Sequence, residues 1–486
     1  MNYLKKVYSA LPQLLESNIV YELNFVKNKL KRGIEMSIKI NKCIKVTLNK
    51  CLNMDMKEIK QIIRDFNYDS CRAANKAMRM WLFHTQDMMD MKLIDKDFNV
   101  AKYEKEKYGK SYRNVIEGEM KLLMPLANTS NVGTLHQQLV QNDWGRIKKD
   151  VLNYKGQISR YKLDTPYFIK NNNYKLTNHN GYFVDIAFFN KEGLKKYGYK
   201  TGHKFEFQID KIDNNKKTTI NKIINGEYKQ GSAQISISKK GKIELIISFG
   251  FEKEIETILN PNKILGIDLG IVNTATMIAY DSELDKYDYF SWKTNVISGS
   301  ELIKFRQKYY NLRREMSISS KYVGDGRIGH GYKAKMKPVD KVRDKVANFA
   351  DTINHKYSRY IVDFAVKNGC GTIQMEDLSG ATANTNEKFL KDWSYYDLQN
   401  KIEYKAKEQG IEVIKVNPRY TSKRCSNPKC GHIHDDNRDC KNNQAKFKCV
   451  VCGYEENADI NACKNIAIPN IDKIIDTYIK EIKKAS

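Results

Sequence analysis

The sequence predicts a multidomain α+β fold. Three observations carry that expectation: the apolar period switches between strand-like alternation and helical spacing along the chain, a strand–helix–strand pattern fills the second half, and cysteines crowd near the carboxyl end. At 486 residues, 41% of them apolar, the chain has room for about three cores.

Charge narrows the partners. Lys and Arg number 84 against 57 Asp and Glu, a net charge of +27. Such an excess suits a polyanion, because each phosphate neutralised by a cation releases condensed counterions. The 30 Tyr and 18 Phe add flat faces on which bases stack. No run of about 18 apolar residues occurs, which excludes a helical membrane span. Pro12 and Glu16 interrupt the weakly apolar start, against a cleaved signal peptide. Cysteines stand singly at Cys43, Cys51, Cys71 and Cys370 and gather only between Cys425 and Cys463, which fits a reducing cytoplasm and one metal site rather than a disulfide framework.

Residues 1–55 read as a basic leader followed by a first strand. Ile38, Ile40, Ile44, Val46 and Leu48 alternate with polar neighbours, as in a strand that joins a sheet built later in the sequence. Residues 56–155 turn helical: Ile59, Ile62, Ile63 and Phe66 form one stripe, and Ala74, Ala77, Met78 and Trp81 another. Met80, Met88, Met89 and Met91 read as core filler, with Arg72, Lys76 and Arg79 as candidate phosphate contacts. Residues 156–260 return to short alternating runs. Phe205, Phe207 and Ile209 form one; Ile235 and Ile237 lead through a Lys239–Lys242 turn into Ile243, Leu245, Ile247 and Phe249, a hairpin. Five or six such strands imply a small antiparallel β-barrel, a shape suited to RNA or single strands.

Residues 261–420 carry the acids. Ile264, Leu265, Ile267 and Leu269 form a buried run interrupted by Asp268, with Gly266 and Gly270 on either side. An ionised Asp there requires an ion pair, backbone donors or a metal. Thr274 to Tyr280 continue as the next strand, and a basic helix spans Glu301–Met316. Ser317–Lys337 reads as a Gly-rich loop whose Arg327, Lys333, Lys335 and Lys337 grip a nucleic-acid backbone. Pro338 opens a long helix through Val342, Val346, Phe349, Ile353, Tyr357, Tyr360 and Phe364, and Gly369 closes it. The next apolar run, from Thr372, meets Glu376 and Asp377 at its carboxyl end, where chemistry gathers in strand–helix–strand sheets. A helix from Trp393 to Gln409 and a strand from Ile411, stopped before Pro418, complete the segment.

Residues 421–456 hold Cys425-x4-Cys430 and Cys449-x2-Cys452, separated by eighteen residues and each followed by a glycine. Thiolates so arranged close a tetrahedron around Zn2+, and four protein ligands leave no open position, so the metal is a structural staple. His432, His434 and Cys440 are alternative ligands. Asp459, opening the last segment 457–486, reads on its own as a helix cap.

Taken together, Gly266-Ile-Asp268-Leu-Gly270, Met375-Glu376-Asp377-Leu, Tyr420-Thr421-Ser422-Lys423-Arg424-Cys425, the Cys449/Cys452 pair and Asp459-Ile-Asn461-Ala resemble the RuvC nuclease region of the miniature type V-F CRISPR effectors and of the related transposon-encoded TnpB nucleases. The resemblance spans about Lys263 to Ile466. It implies an RNase H-like (RuvC) α/β domain with a zinc-binding target-nucleic-acid-binding insertion, preceded by a helical recognition domain and a β-barrel wedge domain. It also implies that Asp268, Glu376 and Asp459 form the acidic triad and that Arg438, between the cysteine pairs, assists catalysis. One departure is the four-residue spacing of the first pair around Asn427 and Pro428, which sets Cys430 ahead of Cys425 as a ligand.

The implied function is RNA-guided DNA cleavage by two-metal-ion phosphodiester hydrolysis in a single site. Two Mg2+ ions, replaceable by Mn2+, suit hard carboxylate oxygens. Guide RNA, double-stranded target DNA with a short flanking motif, and a homodimer on one guide RNA are the implied partners, in antiviral defence in a prokaryotic cytoplasm. The alternatives are a TnpB-like transposon nuclease and a guide-RNA-dependent DNA-binding protein that does not need to cut; the intact triad disfavours the latter.

Overall fold

The computed structural model describes residues 37–238, 240–255, 259–321, 332–378, 395–438 and 443–485. The leader, Arg327 and Cys440 lie outside these residues. The described chain divides into two compact units, residues 39–252 and the residues from 253 onward.

In the first unit, β1 (Ser37–Cys51) leads into α1 (Met56–Ile94), α2 (Val100–Tyr108), α3 (Tyr112–Leu123), α4 (Thr129–Leu135) and α5 (Asn142–Leu152). There follow β2 (Tyr167–Ile169), β3 (Tyr174–Asn178), β4 (Tyr182–Ile186), α6 (Lys191–Lys196), β5 (Phe205–Ile209), α7 (Asn214–Ile224), β6 (Lys229–Ile237) and β7 (Ile243–Glu254). Asp55 caps α1 by accepting from the amides of Lys57 and Glu58, and the Ile59–Phe66 stripe is buried. Of the four methionines expected to fill a core, Met88 is buried and Met80 half-buried, whereas Met89 and Met91 are exposed. Only the stripe through His84 and Met88 turns inward there, where the His84 ring bonds Glu104 and stacks on Tyr112. Lys76 pairs with Glu119 at 2.6 Å instead of standing ready for a phosphate.

The seven strands form one sheet in the order β2-β6-β7-β1-β5-β4-β3, with β1 (Ser37–Cys51) between β7 (Ile243–Glu254) and β5 (Phe205–Ile209), both far later in the sequence. Short β2 covers only Ala233–Ile235 of β6. Beyond it the Tyr174 hydroxyl of β3 donates to Gly231 O at 2.8 Å and Gln230 Nε2 donates to Tyr174 O at 3.1 Å, which curls the sheet back on itself.

The second unit is built on β8 (Asn260–Asp268), β9 (Asn273–Asp281), β10 (Lys286–Tyr287) and β11 (Val296–Ser298), then α8 (Ser300–Lys321), α9 (Tyr332–Lys367), β12 (Cys370–Glu376), α10 (Tyr395–Lys407) and β13 (Glu412–Val416). The sheet order is β10-β9-β8-β12-β13, with β11 beside β9. β8, β12 and β13 run parallel and β9 antiparallel. The chain ends with β14 (Lys446–Lys448), β15 (Glu455–Asn457), α11 (Ala458–Ile466) and α12 (Ile471–Ala485).

Strand parity explains the continuous apolar runs. Leu265, Ile267, Ala275, Met277, Ile373 and Met375 pack with Ile353, Ile361, Leu398 and Ile402 of α9 and α10. Ile278 and Tyr280 pack with Cys463 and Ala467 on the other side. Both faces are covered, so neither shows polar alternation, and an acid within the run stands out.

The loop expected at Ser317–Lys337 is overlapped by helix at both ends. Helix α8 continues to Lys321 and α9 already begins at Tyr332, so Pro338 lies inside α9 rather than opening it. Near the start of a helix a proline removes a single backbone bond, and the turns on either side hold. Lys333 and Lys335 are thus on helical backbone, and Lys337 is exposed.

Candidate functional site

The same parity builds the site. In β8 and β12, Gln374 pairs with Gly266 and Met375 with Ile267, so Glu376 follows beside Asp268 at the carboxyl ends of two adjacent parallel strands. Neighbouring strands lie about 4.8 Å apart. Gly266 and Asp268 share the face opposite the α9–α10 core, and α11 covers that face. A Cβ on Gly266 would lie 2.3 Å from Cys463 O and 2.7 Å from Ala467 Cβ. The bare backbone is what lets α11 seat on β8.

Helix α11 brings the third acid. Asn457, not Asp459, is its cap, accepting from the amides of Asp459 and Ile460. Asp459 is thereby left in the first turn, where the helix dipole favours a carboxylate, and its Oδ2 accepts from Asn273 Nδ2 at 2.8 Å. Burial first, then the charges of Glu376 and Asp459, push Asp268 well above the usual carboxylate range, while Arg438 pulls the other way. Glu376 is raised by burial against the opposing pull of the Thr421 hydroxyl and Arg438. Glu376, Asp459 and Arg438 thus all lie within electrostatic reach of Asp268. Arg438 Nε is buried with no hydrogen-bond partner. A buried unsatisfied donor costs roughly 1–3 kcal/mol, and an anionic ligand would relieve it.

Side chains that motif reading left without a role also border the centre. Thr421 Oγ1 donates to Glu376 Oε1, and Gln399 Nε2 to the Glu376 carbonyl. Tyr395 has its phenol raised by burial and by the charges of Asp268 and Glu376. Of the basic residues expected to grip a backbone, Arg327 and the side chains of Lys333 and Lys335 lie outside the described residues, and Lys337 is exposed.

The zinc candidates converge. Cys425 Sγ and Cys452 Sγ lie 3.7 Å apart, as do Cys430 Sγ and Cys449 Sγ. Among the described residues this quartet is the metal-ligating group whose donor atoms all lie within 4.8 Å of one another. A tetrahedron of thiolates at about 2.3 Å from Zn2+ has sulfur–sulfur edges of about 3.8 Å, which two edges of the quartet already match while the rest lie within 4.8 Å, so the quartet suits the ion. The ranking of Cys430 above Cys425 is corrected: Cys425 is a full member. The turn at Asn427 absorbs the wider spacing, with Cys430 N donating to Asn427 O at 2.9 Å and Gly431 at φ +63°. His432 is engaged elsewhere, its Nδ1 2.7 Å from the Tyr478 hydroxyl, and His434 Nδ1 accepts from the Asp436 amide. The amide of Tyr454 foremost brings the Cys452 thiol down to about 7, toward the thiolate that binds metal.

The seating of α11 gives a first expected outcome. Gly266→Ala should push α11 off β8 and shift Asp459 from Asp268, lowering cleavage by about a hundredfold, since roughly 1 Å of misplacement costs that much. Cleavage rates at saturating target, with zinc content measured in parallel, check it; a parental rate would show that the close approach does not set the site.

Comparison with known proteins gives the family. Residues 395–466 match the family described as Cas12f1-like, TNB domain, and residues 248–382 the one described as probable transposase. The CRISPR-associated endodeoxyribonuclease Cas12f1 of Sulfoacidibacillus thermotolerans is 38% identical over 439 residues, 89% of this chain and 98% of that protein. The protein of the same name from Syntrophomonas palmitatica is 38% identical over 409 residues, 75% of this chain and 78% of its own length. A cryo-EM structure of a Cas12f1-sgRNA-target DNA complex superposes with a TM-score of 0.62 at 21% identity, covering 89% of this chain and 99% of that one, which shows a shared fold. The chain belongs to the Cas12f1 family of CRISPR-associated endodeoxyribonucleases.

Proposed function

We propose that this chain is an RNA-guided DNA endonuclease whose one hydrolytic centre consists of Asp268, Glu376 and Asp459, with Arg438 beside it. The observation that carries the reading is the placement of Asp268 and Glu376 at the carboxyl ends of adjacent parallel strands, both raised by burial and Asp268 also by the charges of Glu376 and Asp459. Such a cluster is costly without a cation and suits a hard divalent one, so these three side chains are the ligands assigned to two Mg2+ ions, with Mn2+ as a substitute. When bound, the metal pair supplies a hydroxide nucleophile and stabilises the leaving oxygen. Arg438, with its unpartnered Nε, is suited to hold a phosphate oxygen and offset charge that builds on it. Asn273 orients Asp459, and Thr421 orients Glu376.

Family membership supports the partners. The relatives are named CRISPR-associated endodeoxyribonucleases, and the superposed relative was solved with guide RNA and target DNA. On this reading residues 261–420 and 457–486 form the RuvC domain and 421–456 its zinc-bearing insertion, whereas 56–155 and 156–260 serve as recognition and wedge domains that hold the guide and read a short duplex motif. No helix among the described residues is long and apolar enough to cross a membrane.

The match of residues 248–382 to a transposase family favours one second reading, a transposon-associated nuclease. Sequencing the RNA that copurifies with the expressed chain and its native locus tests both. A CRISPR repeat–spacer transcript is the expected result, a transposon-end transcript supports the second reading, and protein free of RNA contradicts RNA guidance.

A further inference from the structure

We propose that Thr421 is a positioning residue for Glu376, locked in place by Asn461 and Asn465, which clamp the main chain between Thr421 and the zinc-binding Cys425 onto the helix that carries Asp459. The proposal rests on the reading of the acidic centre as a nuclease site. Thr421 has no exposed surface, and its hydroxyl donates to Glu376 Oε1. That bond fixes the rotation of the carboxylate about its last torsion, and so decides where the other oxygen points. Two strands of the sheet meet at Glu376, but nothing in strand pairing sets that torsion.

What holds Thr421 is the polar face of α11. Asn461 and Asn465 are four residues apart, one above the other, and both are wholly buried. Asn465 Nδ2 donates to Thr421 O at 3.0 Å and to Arg424 O at 2.7 Å, while its Oδ1 accepts from Arg424 Nη1 at 2.7 Å. Asn461 Nδ2 donates to Arg424 O at 2.9 Å, and its Oδ1 accepts from Ser426 N at 2.9 Å. Two amides thus satisfy the backbone on both sides of Cys425. Buried amides with every group paired specify one arrangement, because any shift leaves a donor or acceptor stranded. Helix α11 therefore fixes three things together: from its sheet-facing side Asp459 in its first turn, and from the Asn461–Asn465 side the chain entering the zinc quartet and, through Thr421, the orientation of Glu376. The zinc segment and the acidic centre are one mechanical unit.

The test compares Thr421→Val, which keeps the shape and removes the hydroxyl, with Thr421→Ser, which keeps the hydroxyl, and with Glu376→Gln as reference. Single-turnover cleavage by the guide-loaded protein is measured against Mg2+ concentration, alongside target binding in chelator and zinc content. Thr421→Val should lower the maximal rate roughly ten- to a hundredfold, the worth of a hydrogen bond to a charged group, and raise the Mg2+ needed for half-maximal rate. Binding and zinc should stay parental, and Thr421→Ser should recover the rate to within about threefold of the parent. A parental rate and Mg2+ dependence in Thr421→Val overturns the proposal, as does an equal defect in Thr421→Ser, or a defect that comes with loss of zinc or of target binding. Parental cleavage by Glu376→Gln would overturn the reading of the site itself, and with it the role given to Thr421.

Discussion

Cys449→Ser and Cys452→Ser should each release the metal, open the segment between Cys425 and Cys452 to protease, and weaken target engagement, while the purified parent contains one zinc per chain. The segment has little else to hold it. Its apolar cluster consists of Cys425, Phe447, Cys449 and Ala458, with Cys430 and Tyr454 alongside, so two of its four buried members are themselves ligands. Structural zinc supplies about 10–16 kcal/mol in small domains, far more than such a cluster contributes. Loss should reach the chemistry as well. Asn437 ties the zinc loops together, donating to Lys423 O at 2.9 Å and accepting from Val450 N at 3.0 Å, and Arg438 is the next residue. Once the loops part, Arg438 has no fixed place beside the acids. Elemental analysis with limited proteolysis of the guide-loaded protein checks this, and a zinc-free parent that resists protease would contradict it.

Residues with strong local chemistry were legible in the sequence. Asp268 and Glu376 stood out because strands buried on both faces are written as unbroken apolar runs, and an acid in such a run has to be explained. The four thiols were legible from spacing, although spacing misjudged Cys425, since the turn at Asn427 that accommodates the extra residues depends on backbone geometry. Other errors trace to tertiary contacts. Met89 and Met91 lie outside the one stripe of α1 that meets neighbours, and composition gave no sign that α8 and α9 extend into the basic segment between them. The positioning contacts were beyond reach for the same reason: Thr421 meets Glu376 across 45 residues, and Asn273 meets Asp459 across 186. A hydroxyl or amide at such a distance carries no local signature of its partner.

Replacing any one of Asp268, Glu376 or Asp459 by Ala should reduce cleavage by roughly a thousandfold or more, as expected where groups act as a unit, and should leave binding of RNA and target nearly intact. The acids contribute nothing attractive to a polyanion, whereas backbone contacts come from cations on other segments. Stability should move in the opposite sense to activity. Asp268 is raised above its unfolded value of about 3.9, so its contribution to stability is present at low pH and is lost as pH rises through the folded value. Without metal, burying its ionised form opposes folding. Asp268→Ala should therefore melt at a higher temperature than the parent in chelator, and should lose the parent's added stability in Mg2+.

The most direct measurement is cleavage of a matched DNA target by the guide-loaded Asp268→Ala variant and its parent in Mg2+, beside target binding by both in chelator. The account predicts parental binding with cleavage lost. Cleavage at the parental rate by Asp268→Ala would contradict it, because the acid at the end of β8 would then not be part of the hydrolytic centre.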